Sequence, residues 1–184
     1  GLGPSTVGPR HLVTWSPDGK IRAAAGEWTN NNRLWTWTLV FPQPLPDSPM
    51  LPRGIGSGCS LDTSPDGKSV AMGGDTGLVQ LWDGESNQPT HLLPAHTSSV
   101  LCLAFSPDGN TLACGNLDGT ARLWTTDSGG LRCQIDRQCD AVTCVRLLTW
   151  SPDGKLLATW PILEGLAAVR IFETRRLVLE IRPE

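Results

Sequence analysis

Short apolar runs separated by turn residues dominate the chain and predict β-strands. In the middle of the sequence, Val100–Phe105 and Thr111–Cys114 are rich in apolar residues and flank Ser106-Pro-Asp-Gly109. Pro presets φ at the second position of a turn, Asp favours the third position, and Gly relieves the exit. The segment therefore predicts two antiparallel strands joined by a tight hairpin.

The Ser-Pro-Asp-Gly tetrapeptide recurs along the chain. It starts at Ser16, Ser64, Ser106 and Ser151, so the intervals are 48, 42 and 45 residues. A fixed period in this range is the signature of a repeat architecture, in which each repeat is one supersecondary unit. We therefore expect four repeats, each with a hairpin tip at its tetrapeptide.

A large aromatic residue follows each tetrapeptide at a nearly constant distance. Trp35, Trp82 and Trp124 lie 16, 15 and 15 residues beyond the tetrapeptide glycine, and Phe172 lies 18 residues beyond its glycine. An apolar residue precedes each of them. One aromatic ring buries roughly 150–250 Å². The spacing predicts a third strand whose ring packs between neighbouring sheets.

Each repeat also has a fourth apolar segment. These segments are Trp37–Phe41, Thr90–Leu93, Leu131–Ile135 and Leu177–Ile181. A second turn at Asp118-Gly119 is a strong hairpin signal between the second and third strands. Four short antiparallel strands at a period of about 45 residues describe a β-propeller blade. We predict one all-β segment over 1–184, with repeats over about 10–41, 58–93, 96–135 and 142–181.

The third repeat carries a family resemblance. Its tetrapeptide, Asp118-Gly119-Thr120, Arg122-Leu123-Trp124 and Ala95-His96 resemble the pattern of the WD40-repeat family. The resemblance implies a β-propeller with blades of four antiparallel strands. It also implies a protein-interaction scaffold that is not an enzyme.

The family resemblance further implies a hydrogen-bonded tetrad of Trp, Ser or Thr, His and Asp within a blade. His96, Asp118 and Trp124 fit it, but Cys114 takes the Ser/Thr position and is a poor acceptor. We therefore expect an incomplete network in this repeat. The residues expected to have structural roles are Trp35, Trp82, His96, Asp118, Trp124 and Phe172.

Propellers of the family commonly bind partners through the loops that enter the inner strands and the turns between the second and third strands. On this sequence, the resemblance assigns Trp28, Asp75, Thr97, Ser98, Asn116, Leu117 and Trp160 to that face. The insertion Trp160–Gly165 is expected to be an enlarged loop. Trp28 and Trp160 are then either exposed aromatic residues on the same rim or side chains that fill gaps in irregular loops. The proline-rich segment 41–52 is expected to be a stiff connecting loop, with a docking peptide as the alternative.

The number of blades leaves three arrangements open. The chain is part of a longer propeller, or two copies form a homodimer with an eight-bladed ring, or four blades close alone. An open half-ring would expose apolar blade faces.

Composition narrows the function classes. The net charge of −3 gives no basic footprint for nucleic acid. No apolar run reaches the ~20 residues that span a bilayer, so no membrane role is expected. The six cysteines form no C-x-x-C pair and the three histidines form no H-x-x-x-H pattern, so no metal site is expected, and no other cofactor is expected. Buried, reduced thiols are expected, with a disulfide among Cys133, Cys139 and Cys144 as the alternative. Reduced, buried cysteines favour a cytoplasmic location.

No motif of an enzyme is present. The cluster Gly54–Gly58 fits neither the G-x-S-x-G elbow nor the G-x-G-x-x-G loop. We expect a non-catalytic protein-interaction scaffold in a larger signalling or sensor protein. The alternatives are a propeller that supports or gates a hydrolase or kinase domain outside this chain, and a subunit that assembles into a ring.

Overall fold

In the part of the chain that the structure describes, β-strands joined by turns and loops are the only regular secondary structure. The computed structural model describes residues 10–15, 21–26, 33–37, 56, 58–86, 88–135, 144–163, 166–167, 169–173 and 176–181. The strands of the first two repeats are β1 (Arg10–Trp15), β2 (Ile21–Gly26), β3 (Arg33–Trp37), β4 (Gly58–Thr63), β5 (Ser69–Gly74), β6 (Val79–Asp83) and β7 (Pro89–Leu93). Those of the last two are β8 (Val100–Phe105), β9 (Thr111–Asn116), β10 (Ala121–Thr125), β11 (Leu131–Ile135), β12 (Cys144–Trp150), β13 (Leu156–Leu163), β14 (Leu166–Ala167), β15 (Val169–Glu173) and β16 (Arg176–Ile181).

These strands form four antiparallel sheets in chain order. Sheet 1 is β1-β2-β3, sheet 2 is β4-β5-β6-β7, and sheet 3 is β8-β9-β10-β11. Sheet 4 is β12-β13-β15-β16, with β14 paired to β13. The first strands of the sheets lie side by side, since β4 lies against both β1 and β8, and β12 lies against β8. The sheets therefore follow one another in a row through their first strands, as blades of a propeller do.

The tetrapeptide turns are built alike in sheets 2, 3 and 4. In sheet 3, the amide of Gly109 donates to the carbonyl of Ser106 at 2.8 Å, and Gly109 has a φ of 72°. The Ser106 hydroxyl donates to Asp108, which also accepts from the amide of Asn110 at 3.0 Å. These hydrogen bonds, first of all the one from Ser106, lower the pKa of Asp108. The turn at Ser16 lies outside the described residues.

Three of the four aromatic residues of the third strands have described side chains, and all three are buried. Trp82 is 1% exposed, and Trp124 and Phe172 are also buried. Trp124 packs in a cluster that joins sheets 2 and 3 and includes Leu81. Phe172 packs in a second cluster that joins sheets 3 and 4 and includes Cys133. The backbone of Trp35 lies in β3 and pairs with Ala23, but its side chain is outside the described part.

Three of the four predicted outer segments coincide with strands. Thr90–Leu93, Leu131–Ile135 and Leu177–Ile181 lie within β7, β11 and β16. The fourth, Trp37–Phe41, and the proline-rich segment 41–52 fall almost wholly outside the described residues, because only Trp37 is described there.

The prediction of an enlarged loop at Trp160–Gly165 is wrong for its first four residues. β13 continues through Leu163, because Ile162 and Leu163 pair with β14 and form a further hairpin. The insertion therefore lengthens a strand, and Trp160 lies within the sheet.

Neighbouring sheets approach each other closely over a glycine. A Cβ at Gly115 would lie 2.6 Å from Val145 Cγ1 of sheet 4 and 2.7 Å from Cys102 Sγ. Burial raises the pKa of the Cys102 thiol to about 12, so it stays protonated and donates to the Val145 carbonyl at 3.3 Å. In the same way, a Cβ at Gly73 would lie 2.5 Å from Val100 Cγ1. A side chain at either position would push the neighbouring sheet away.

We expect Gly115→Ala to destabilise the protein by about 1–3 kcal/mol, because the new methyl group overpacks the contact with Val145. Gly130→Ala is the matched control, since its Cβ would meet only Ser128 Oγ at 3.4 Å. Urea denaturation of both variants measures the difference. Equal stabilities would contradict the requirement for glycine at 115.

Candidate functional site

The loop that joins sheets 2 and 3, residues 94–99, is anchored to sheet 2. The amide of His96 donates to the carbonyl of Gly77 at 2.8 Å, and the hydroxyl of Ser99 donates to the carbonyl of Asp75 at 3.2 Å. Gly77 has a φ of 85° at the turn between β5 and β6, a conformation that favours glycine. The loop and this turn therefore hold each other in place.

The same loop is anchored to sheet 3. The amide of Leu117 donates to the carbonyl of Ser99 at 3.1 Å. The side-chain amide of Asn116 donates to the hydroxyl of Ser98 at 3.2 Å and accepts from the amide of Asp118 at 2.8 Å. The loop thus bridges two sheets through hydrogen bonds on both sides, which fixes its conformation.

We define the loop face as Asp75, Thr76, Thr97, Ser98 and Leu117. Thr76, Thr97 and Leu117 are exposed, and Asp75 and Ser98 are partly exposed. The structure thus brings together Asp75, Thr97, Ser98 and Leu117 from the sequence-based assignment. On this face, the apolar side chain of Leu117 lies among short polar ones.

Two other residues assigned to this face lie elsewhere. Asn116 is 0% exposed, so it supports Ser98 from beneath and offers no surface to a partner. Trp160 lies within β13, opposite Leu147 of β12, and not among the loops. Trp28 lies outside the described residues. Asn116 and Trp160 lie elsewhere because of the burial of the first and the strand register of the second, and no local sequence pattern specifies either.

His96 lies beneath the loop face in a short chain of hydrogen bonds. Its Nε2 is 3.2 Å from the carbonyl oxygen of Cys114, which only accepts, so Nε2 carries the proton. Its Nδ1 is 3.3 Å from Thr120 Oγ1. The Thr120 hydroxyl has one proton, which it donates either to Asp118 at 2.7 Å or to the unprotonated Nδ1 of His96.

Burial determines the charge of His96. It is the main reason that the pKa of His96 is lowered from 6.5 to about 4, and the nearby Arg122 cation contributes to the decrease. The Cys114 carbonyl and the Asp118 carboxylate oppose this shift but do not overcome it. His96 is therefore neutral at pH 7, and its buried position suits a hydrogen-bonding role in the fold.

A comparison with models of known protein families identifies the family of this chain. The model described as "WD domain, G-beta repeat" matches residues 55–83, 87–125 and 131–159, which together are just over half of the chain. The chain belongs to the WD40-repeat family. Among curated proteins, no sequence matches it.

The matched ranges do not begin and end where the sheets of this WD40 chain begin and end. The match over 87–125 includes the loop 94–99 and the third-strand Trp124, whereas the last match ends at Thr159. That end coincides with the point where β13 departs from the other second strands, at Trp160 and the extra hairpin. Sheet 4 therefore differs from sheets 2 and 3 at the side chains that its second strand presents.

The hydrogen-bond network of the third WD40 repeat is incomplete. Trp124 Nε1 is buried and has no hydrogen-bond partner among the described residues. Cys114, at the position where the family resemblance expects a hydroxyl, is fully buried, and burial raises its thiol pKa well above the usual value. The His96 ring bonds to the Cys114 carbonyl instead of a side chain. Packing of the Trp124 ring must therefore hold this position without its N–H bond.

Two supporting residues are absent from the sequence-based assignment. Thr120 lies between His96 and Asp118 and can donate its hydroxyl to either, and its position two residues after the aspartate of the Asp118-Gly119-Thr120 turn is the local signal that indicates this role. Asp62 of β4 accepts from the amide of Phe105 in sheet 3 at 2.8 Å. Burial raises the pKa of Asp62, against the opposing effect of the amides of Phe105 and Thr63. Only the fold reveals this bond, because its partners are 43 residues apart.

No group of three or more His, Cys, Asp or Glu side chains in the described ranges is placed to hold a metal ion. Within the same ranges, no helix has the length and apolarity needed to cross a membrane.

The lowered pKa of His96 predicts acid sensitivity. The unfolded chain takes up a proton near pH 6.5 and the folded chain only near pH 4, so stability falls as the pH drops through this window. We expect the free energy of unfolding to decrease by about 2 kcal/mol between about pH 7.5 and about pH 5 because of His96.

His96→Gln tests this expectation, because its amide keeps a donor for the Cys114 carbonyl and does not titrate. Chemical denaturation at both pH values compares the two proteins. The variant should lose less stability than the natural chain on acidification. Parallel losses would show that His96 does not cause the pH dependence.

Proposed function

We propose that the chain is a row of four WD40 blades of a β-propeller, and that its loop face binds a protein partner without catalysis. The fold supports this, because the first strands of successive sheets lie against one another. Family membership supports the interaction role, since WD40 repeats typically mediate contacts between proteins. The observation that carries the proposal is the anchored loop 94–99 beside the exposed Leu117.

A rigid surface binds with less loss of conformational entropy than a flexible one. Hydrogen bonds from the loop reach Gly77 and Asp75 on one side, and the Leu117 amide and Asn116 on the other. Thr97 and Leu117 are thus exposed on a preorganised backbone. Leu117 is the apolar centre of this surface, and the polar groups of Ser98 and Asp75 would orient a partner around it.

We further propose that the protein works in the cytoplasm, as part of a larger signalling or sensor protein. Four cysteines support a reducing compartment, because Cys102, Cys114, Cys133 and Cys144 are free thiols in a small all-β chain. The larger context is an inference from the family's use of such blades as modules.

A second candidate function is assembly with another copy into a closed ring. The observation that favours it is the pair Leu147 and Trp160, which is apolar and exposed on the last sheet of the row. Assembly and partner binding would use different surfaces, because this pair is not part of the loop face.

If the loop face binds a partner, substitutions on it should weaken binding without changing the stability of the fold. We expect Thr97→Ala combined with Leu117→Ala to weaken partner binding by about 1 kcal/mol or more and to leave the melting temperature unchanged. Leu131→Ala is the control, since Leu131 is similarly exposed but lies on the outer strand β11.

Tagged natural, variant and control proteins are used for affinity capture, and quantitative mass spectrometry identifies the captured proteins as candidate partners. Calorimetry then measures the affinity of each candidate partner for the three proteins. The proposal requires a protein that the natural chain and the Leu131 control bind and the loop-face variant binds weakly. A variant that binds normally, or loses binding only because it unfolds, would rule out the loop face.

A further inference from the structure

A cavity of about 140 Å³ lies between sheets 3 and 4, at the strand ends that carry the tetrapeptide turns. Leu123, Cys133 and Leu157 form its apolar wall, and all three are buried in the cluster that joins these sheets. The indole of Trp150 also lines the cavity, and its Nε1 donates to the carbonyl of Ala104 at 3.1 Å, which fixes the ring. A cavity of this volume accepts a group of about the size of a benzene ring.

The connection between the third and fourth strands explains why the cavity is open. In sheet 3 this connection is residues 126–130, and a Cβ on its Gly129 would lie 2.9 Å from His91 Cδ2 of sheet 2. His91 and Cys133 have the same register position, opposite the leucine that precedes the third-strand tryptophan. In sheet 4 the connection is only residues 174–175, so it is too short to supply a counterpart of Gly129 over Cys133.

Two exposed cationic side chains line the mouth of the cavity, one from each sheet. Arg132 reaches across β10 from the outer strand of sheet 3, and its Nη1 donates to Thr111 Oγ1 at 2.9 Å. Lys155 follows the tetrapeptide turn of sheet 4, and its Nζ is 3.8 Å from Asp153 Oδ2. The two side chains of this ion pair are 77% and 57% exposed. Because such a surface pair is weak, Lys155 can turn to a ligand.

The two cations are specific to the junction of sheets 3 and 4. At the junction of sheets 2 and 3, Thr90 takes the place of Arg132, since each is the residue skipped at the irregularity in the third-to-fourth strand pairing. Asn110 takes the place of Lys155, since each follows the glycine of a tetrapeptide. Uncharged residues therefore satisfy the fold at both positions, and the positive charges at the cavity are not required for it.

A buried hydroxyl lies in the same cavity. Thr111 is 2% exposed, and its hydroxyl accepts from Arg132, while the proton of that hydroxyl has no acceptor among the described residues. Asp108 also lines the cavity, but its carboxylate accepts from the Ser106 hydroxyl and the Asn110 amide within its own turn. Two cations and a hydroxyl donor against one carboxylate favour an anionic ligand.

We propose that this cavity binds a small organic monocarboxylate. The carboxylate lies at the mouth, between the Arg132 guanidinium and the Lys155 ammonium, and accepts from the Thr111 hydroxyl. A guanidinium suits this role because it can donate two parallel hydrogen bonds to one carboxylate. The apolar group of the ligand packs against Trp150 and Leu157, which an inorganic anion would leave uncovered.

The inference needs only the contact between sheets 3 and 4, and it does not rest on the proposed function. The loop 94–99 precedes β8, whereas the turn that lines the cavity follows β8, so the two sites lie at opposite ends of this strand. A loop-face variant should bind the carboxylate normally, and a cavity variant should bind the protein partner normally. Failure of one proposal is therefore distinguishable from failure of the other.

Calorimetric titration of the natural chain tests the class of ligand. Benzoate and butyrate are the probes, with benzamide as a neutral analogue and inorganic phosphate as an anion without an apolar group. We expect saturable binding of benzoate and butyrate, and at least about tenfold weaker binding of benzamide and phosphate, because benzamide lacks the charge and phosphate the apolar contact. The NMR signal of the Trp150 indole N–H, assigned with Trp150→Phe, should shift along the same saturation curve.

Arg132→Thr combined with Lys155→Asn tests the position of the site, because it installs the residues of the junction of sheets 2 and 3. Benzoate binding should weaken by at least about tenfold, with the melting temperature unchanged. The matched control is Arg146→Thr combined with Lys68→Asn, which removes the same charges outside the cavity. Arg146 is exposed on β12, and Lys68 forms an ion pair of 3.8 Å with Asp66, as Lys155 does in its own turn.

Three results would overturn the proposal: no binding of benzoate or butyrate, equally tight binding of benzamide or phosphate, and normal binding by the cavity variant. An equal loss of binding in the control would also overturn it, because the effect would then come from the overall charge. Thermal unfolding establishes that each variant is folded. If the double cavity variant does not fold, Lys155→Asn against Lys68→Asn makes the same comparison with one charge each.

Discussion

The close approach of neighbouring sheets over a glycine is the contact on which the rest of this structure depends. Val145 of one sheet sits where a side chain on Gly115 would be, and Val100 does the same over Gly73. Because both contacts lie on first or second strands, they set the spacing of sheets 2, 3 and 4. The buried clusters with Trp124 and Phe172 form only at this spacing, since each is built from two sheets.

Fixed spacing also determines the loop face. Loop 94–99 reaches the turn at Gly77 and the turn at Leu117 with main-chain hydrogen bonds, which need both sheets at a set distance. His96 strengthens this arrangement from below as a neutral ring bonded to the Cys114 carbonyl. The short loops of this face are thus held in place by the sheets that carry them.

The chain tolerates an incomplete polar network where packing is good. Trp124 keeps its ring buried although its N–H has no partner among the described residues, and Cys114 supplies bulk in place of a hydroxyl. Sheet 4 shows the opposite case, because the apolar side chains of Leu147 and Trp160 are exposed. The repeats are therefore not uniform in two places, at the buried N–H of Trp124 and at the exposed apolar pair Leu147 and Trp160.

The sequence by itself indicated most of the strands, the tetrapeptide turns of sheets 2, 3 and 4, and the aromatic residues Trp82, Trp124 and Phe172, because turn chemistry and alternation act over a few residues. It also indicated the incomplete network at Cys114. Only the tertiary structure decided that Asn116 is buried, that Trp160 belongs to a sheet face, and that Asp62 bonds across to Phe105. Those outcomes depend on strand register and on contacts between residues far apart in the chain, which local patterns do not encode.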